Sequence, residues 1–235
     1  GNSIMYDSGS GIGIGTTSPG SDILNVSGNT QLNGYLRVNG GGNIWIQNSS
    51  IAIPSDAGTQ NTVIGFNVGN PAGMSGAINN FLLGINTALG LTTGDVNVAI
   101  GQGTMSGITS GSNNVAVGDN ALNGASNTSY VTAVGPDAGK NATSTFGGGY
   151  FGSGAGQGTS VYCFAFGEQA LRNNTGIYSN AFGALAGYGN TGANSNFFGF
   201  KAGMGNTRNY SLYIDNDETF VPLIGGQFDN NRVGI

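Results

Sequence analysis

Residues 113–124 read NNVAVGDNALNG, and the chain writes variants of this phrase on both sides of it. VNVAIGQGTMSG occupies residues 96–107 and YVTAVGPDAGKN residues 130–141. Aligned on the glycine that closes each phrase, the repeat appears nine times, at Gly65, Gly84, Gly101, Gly118, Gly135, Gly152, Gly167, Gly183 and Gly199. The intervals are 19, 17, 17, 17, 17, 15, 16 and 16 residues. A large apolar residue precedes each glycine: Ile64, Leu83, Ile100, Val117, Val134, Phe151, Phe166, Phe182 and Phe198. Three residues after the glycine a small residue recurs, as Ala121, Ala138, Ala155, Ala170, Ala186 and Ala202.

A fixed period of this length signals a stacked architecture. Helical repeats need about 33 residues or more for two helices, and glycine or asparagine inside every unit disfavours helix. The expected coil is a short strand, a turn, a second short strand and a turn, with successive coils pairing as parallel strands. The fold class is therefore all-β, a repetitive parallel β-roll or solenoid. Asn61, Asn80, Asn97 and Asn114 stand four residues before their glycines and are placed to stack as an asparagine ladder. The residues before the glycines change from aliphatic to phenylalanine midway. That change implies either a core that widens along its axis or an altered contact with a neighbouring subunit.

Composition agrees. The 235 residues include 46 glycines, 6 basic and 11 acidic residues, and no histidine. Charged residues make up 7%, against about 25% in ordinary globular chains. The 22 aromatic residues give the chain enough apolar surface to fold. A net charge of −5 disfavours nucleic acid and anionic membrane surfaces as partners. No apolar run approaches a membrane span, and the opening GNSIMYDSGS does not read as a signal peptide. A single cysteine, Cys163, leaves no internal disulfide framework and no multi-cysteine metal site; a buried, inert thiol is expected.

Three segments follow: an N-terminal β neck over 1–58, a nine-coil head over 59–206, and a C-terminal β segment over 207–235. Leu24, Val26, Leu36 and Val38 alternate between turn residues and predict short β-hairpins. NIWIQNSSIAI (43–53) continues the alternation, with Trp45 as a packing residue. The final RVGI looks like the start of another module of the GIGIGTTSP type (11–19).

GIGIGTTSPGSDILNVSGN (11–29), followed by the glycine-asparagine array, is similar to trimeric phage tail fibres and to tail-fibre-like surface fibres, including those of predatory bacteria. The array also resembles the coils in the heads of trimeric autotransporter adhesins. The resemblance covers nearly the whole chain. It implies an extracellular, intertwined parallel homotrimer on a cell surface or phage tail, which recognises a cell-surface glycan or protein of a target cell. It allows for a downstream chaperone domain that aids trimerisation; from the residues themselves no enzyme and no cofactor is expected. Trimerisation has a separate physical argument, because one coil of this length encloses a thin core and three rolls side by side would supply missing apolar contact.

Several motifs have plainer readings than the chemistry they evoke. GPDAGKNAT (135–143) has the wrong spacing for a phosphate loop and lacks a hydroxyl residue after Lys140. IDNDET (214–219) gathers Asp215, Asp217 and Glu218, but a solvated turn accounts for it; no metal site is expected. Asp119, Asp137 and Glu168 follow the glycines of their coils and are the candidates for a polysaccharide-degrading spike. No histidine is available for a nucleophile–base pair. Tyr130, Tyr150, Tyr162, Tyr178 and Tyr188 lie in or beside turns of the second half. They either fill a widened core or offer aromatic faces to a ligand on the lateral surface. Tyr130, Tyr162 and Tyr178 are the first candidates for ligand contact, and no residue is assigned a catalytic role. The competing reading is a rigid, non-binding spacer.

Overall fold

The glycine that closes each phrase sits at a corner where no other residue fits. Gly118 has a φ of 137°, and the nine equivalent glycines span 117° to 148°, a region closed to residues with a Cβ. A Cβ on Gly118 would also come within 3.0 Å of the Gly135 carbonyl group, one coil further on. The same relation links each glycine of the column to the next, and Gly199 to Asp215. Backbone therefore touches backbone at this corner, and a side chain there would force the coils apart.

The computed structural model describes residues 5–7, 12–14, 24–26, 61–69, 74, 76–125, 127–142, 146–159, 162–216, 223–227 and 232–234. The chain divides into two units, 1–52 and 53–235. In the first, β1 (Met5–Asp7) pairs antiparallel with β2 (Ile12–Ile14), and β2 pairs parallel with β3 (Leu24–Val26). The hairpins expected over Leu24, Val26, Leu36 and Val38 need a partner strand that lies outside the described residues. Leu36, Val38, Trp45 and the 43–53 segment lie outside the described residues.

The second unit is a parallel β-solenoid. Its strands are β4 (Thr62–Phe66), β5 (Phe81–Ile85), β6 (Val98–Ile100), β7 (Val115–Val117), β8 (Ser129–Val134), β9 (Phe146–Phe151), β10 (Phe164–Phe166), β11 (Asn180–Phe182), β12 (Asn196–Phe198) and β13 (Ser211–Ile214). Each pairs parallel with the next in sequence order, and the repeat alignment is the register: Val98↔Val115, Ala99↔Ala116, Ile100↔Val117. The stack continues past residue 206 through β13, where Asp215 takes the glycine position. Two antiparallel strands, β14 (Ile224–Gln227) and β15 (Arg232–Gly234), complete a 12-stranded sheet. The described residues contain no helix.

One strand, not two, forms in each coil. The other half alternates right- and left-handed residues: positive φ recurs two, four and six residues after the glycine, as at Asn120, Leu122 and Gly124, or Asp137, Gly139 and Asn141. Alternation turns successive peptide groups toward opposite neighbours. Asn120 N–H donates to Gln102 C=O of the preceding coil at 2.8 Å, and Leu122 N–H to Ala138 C=O of the following one at 2.9 Å. This half is thus hydrogen-bonded coil to coil without being β, and satisfying its backbone groups requires no second strand. It also explains the glycine and asparagine filler, since every second residue must tolerate a left-handed conformation.

The core between the two halves is built from facing columns of complementary volume. From β5 to β12 the inward residue runs Leu82, Ala99, Ala116, Ala133, Tyr150, Ala165, Ala181, Phe197, all fully buried. Facing them, four residues after each glycine, are Met105, Leu122, Gly139, Gly156, Leu171, Gly187 and Gly203. Large residues in one column meet small ones in the other. A Cβ on Gly139 or Gly156 would strike the Tyr150 ring, and one on Gly187 or Gly203 the Phe197 ring. Burial pushes the Tyr150 phenol well above its usual pKa, and its hydroxyl has no hydrogen-bond partner among the described residues. Tyr150 is therefore a neutral filler of the core.

The asparagine ladder forms. Asn97 Oδ1 accepts from the backbone N–H and Nδ2 of Asn114, both at 3.0 Å. Asn97 Nδ2 donates to Asn80 Oδ1 at 3.0 Å and to Gly111 C=O at 2.9 Å, so every amide hydrogen and both oxygen lone pairs are used. Beyond Asn114 the ladder crosses to the other side of the coil, as Asn174, Asn190 and Asn206, seven residues after their glycines. Asn190 Nδ2 donates to Asn174 Oδ1 at 2.7 Å, and Asn206 Nδ2 to Asn190 Oδ1 at 2.8 Å. Where one side carries asparagine, the other carries apolar or small residues: Leu91 and Ile108 first, then Cys163, Ser179 and Ser195.

Gly118→Ala combines a disfavoured φ with a backbone collision and should cost about 3 kcal/mol or more. Gly189 has a left-handed φ of 66° but open space around its α-carbon, so Gly189→Ala should cost about 1 kcal/mol. Urea unfolding midpoints of the two variants give the comparison.

Candidate functional site

Strand alternation sends one set of side chains into the core and the other outward. Parallel sheets are ordinarily covered on both faces, yet within the single chain the outward face of this one is bare and apolar. Its first column is the large residue before each glycine. These residues are not core: Ile64, Val134, Phe166, Phe182 and Phe198 are exposed, Phe182 by 42%. The widening-core reading of this column is therefore incorrect. Volume in the core is set instead by Tyr150 and Phe197, one residue nearer the N-terminus than the phenylalanines Phe151 and Phe198. The phenylalanines stack outside as a ladder, with ring centroids 4.5 Å apart for Phe151–Phe166, 5.1 Å for Phe166–Phe182 and 5.3 Å for Phe182–Phe198.

The second column lies at the strand's other end, five residues before the glycine. It reads Asn79, Val96, Asn113, Tyr130, Gly147, Tyr162, Tyr178, Asn194 and then Tyr210 before β13, and every member has positive φ. Tyr130, Tyr162 and Tyr178 thus fall in one column, with 63%, 45% and 50% of their surfaces exposed. Tyr162 and Tyr178 stack at 5.1 Å with their planes 8° apart. Asparagine and glycine hold this left-handed position at little cost, whereas a tyrosine there is strained by about 1–2 kcal/mol. Strained side chains held where cheaper ones fit are characteristic of functional positions.

Tyr210 belongs to the same column and escapes sequence inspection, because its coil has Asp215 in place of the marker glycine. Tyr150 is core, and Tyr188 belongs to the turn half of its coil, away from the tyrosine column.

Asp119 and Asp137 lie on neighbouring coils, where Asp137 N–H donates to Asp119 C=O at 2.8 Å, whereas Glu168 stands apart from both. Asp119 and Glu168 occupy the same position three coils apart, about 14 Å at one strand spacing per coil, beyond the separation of a glycosidase pair. Asp137 stands one position further along its coil, and Lys140 Nζ donates to its Oδ1 at 2.8 Å. Among the described residues no three histidine, cysteine or acidic side chains gather as a metal site, while Asp217 and Glu218 lie outside them. Cys163 is buried, with its thiol pushed up to about 11 mainly by desolvation; Asn174 Nδ2 donates to its sulfur at 3.4 Å. No helix among the described residues is long and apolar enough to cross a membrane.

Comparison with protein-family models, with curated proteins and with solved structures finds no match.

The positions of two phenylalanines separate core from outer face. Phe197→Ala should destabilise the chain by about 3–5 kcal/mol. Phe182→Ala should cost about 1 kcal/mol in a monomeric chain, since its ring is already largely in water. Denaturant unfolding at low protein concentration measures both.

Proposed function

We propose that the roll is a structural and receptor-recognition segment of an extracellular homotrimeric fibre, binding a cell-surface glycan or protein through its lateral surface. The observation that carries this reading is the exposed, left-handed tyrosine column. Tyr130, Tyr162 and Tyr178 share one column of the outer face, two coils and then one coil apart. Rigid presentation matters here. Each tyrosine is anchored by a strand on its C-terminal side, so ordering it on a ligand loses little entropy. The rings are amphipathic, which suits a shallow, half-wet site.

The phenylalanine column supports assembly. A face of stacked apolar rings running along a parallel sheet is the kind of surface that oligomers bury. Packing three rolls on this column would leave the tyrosine column about 13 Å away along each strand, at the mouth of the groove between subunits. Three sites per fibre would let individually weak contacts act through avidity.

A glycan array probed with the assembled protein, followed by Tyr130→Ala/Tyr162→Ala/Tyr178→Ala, tests recognition. Binding is expected and should fall at least tenfold in the triple variant. An array without signal would favour the spacer reading. Sedimentation should show three chains of 23.5 kDa, and Phe166→Glu/Phe182→Glu should yield folded single chains. A wild-type protein sedimenting as one chain at micromolar concentration would overturn the trimer.

A further inference from the structure

The tyrosine column has a missing rung. Register places Tyr130 opposite Gly147, between Ser129↔Phe146 and Val131↔Gly148. The pairing Phe164↔Gly149 continues back to place Tyr162 opposite the same glycine on its other side. Tyr130 and Tyr162 are thus two coils apart, about 10 Å at one strand spacing per coil. Gly147 contributes no ring between them. Among the described residues, a Cβ there would meet only Tyr162 Cδ1 and Cε1 within 4 Å, at 3.7 and 3.9 Å. On its far side Tyr162 stacks on Tyr178 at 5.1 Å, so its near side faces the gap.

The geometry points to a slot at Gly147 that takes the ring of a neutral sugar, sandwiched between Tyr130 and Tyr162. One guest ring would stand about 5 Å from each tyrosine, within the range of ring-to-ring packing and at the spacing the Tyr162–Tyr178 pair already shows. Segments 112–117, 129–134, 146–151 and 162–166 contain no charged residue, which selects an uncharged guest. Tyr130 and Tyr162 are 63% and 45% exposed, so each brings a phenol hydroxyl that can donate to the rim of a guest. Donors flanking both apolar faces match a pyranose, with its C–H faces and hydroxyl rim, better than a hydrocarbon ring. The inference rests on the glycan form of the proposed function and narrows it to one position and one ligand class.

The test fills the slot. Asn113 and Asn194 hold the equivalent position at φ of 59° and 56°, so Gly147→Asn should fold normally while its side chain occupies the gap. Protein labelled with 3-fluorotyrosine, its resonances assigned through single Tyr→Phe variants, is titrated with the methyl glycosides of glucose, galactose, mannose and N-acetylglucosamine. Millimolar concentrations suit weak sites of this kind. At least one sugar should shift the Tyr130 and Tyr162 signals and leave Tyr150 and Tyr188 unmoved. Gly147→Asn should weaken that response about tenfold. Shifts confined to other tyrosines, or an affinity unchanged in Gly147→Asn, would overturn the slot while leaving glycan recognition standing. No shift with any of the four sugars would overturn the sugar assignment, and a glycan array negative for the wild type would remove the wider reading as well. Tyr130 and Tyr162 signals that move with protein concentration alone, and stop doing so in Gly147→Asn, would place an aromatic side chain of a second copy in the slot instead.

Discussion

Backbone meets backbone at one corner of every coil, and most of the molecule follows from keeping that contact. A glycine with φ near 137° ends each strand against the carbonyl of the next glycine. The spacing between coils is thereby set at one strand separation on the sheet side. The opposite half must keep the same pitch, and it does so without a β-strand. Its alternating right- and left-handed residues point N–H groups to the coils on either side in turn. The glycine and asparagine content that makes the chain look low in information is the cost of that alternation, since left-handed φ is required at every second residue.

With the pitch fixed, the core has little freedom. It is two residues wide, so a ring entering from the strand must be answered by a glycine across from it. Tyr150 is answered by Gly139 and Gly156, and Phe197 by Gly187 and Gly203. Buried amides follow a similar rule. An asparagine in this core is tolerable only in a ladder, where the coil above and the coil below complete its hydrogen bonds. The ladder occupies one side through Asn114 and the other from Asn174 onward. Tyr150 lies at the crossing, its ring end beside Gly148, where neither side supplies an amide.

The outward face obeys a different logic. Nothing inside the chain needs its apolar residues, yet phenylalanine forms a ladder along one edge and tyrosine, at strained left-handed positions, along the other. The interior fills its own volume and, through the asparagine ladders, satisfies its buried amides. The outer columns therefore read as surfaces shaped for contact with something else: like subunits on one edge and a ligand on the other, in the functional reading proposed above.

Period, register and the first asparagine ladder were legible in the sequence. A solenoid pairs each residue with its counterpart one repeat away, so alignment of the repeats is already the strand register. Tyr130, Tyr162 and Tyr178 could be chosen from residue type and turn position for the same reason. What remained closed was which side each column faces. Phe182 and Phe197 are both large aromatics next to the marker glycine or one residue removed from it, and only the pleat decides that Phe197 turns inward and Phe182 outward. Strand and left-handed turn halves were also indistinguishable, because both are rich in glycine and asparagine and neither shows helical periodicity. The stacked pair of Tyr162 and Tyr178, the gap at Gly147 and the membership of Tyr210 depend on distances across coils. The tertiary structure supplies those, since side-chain direction at a corner is set by φ and not by the identity of the residue that occupies it.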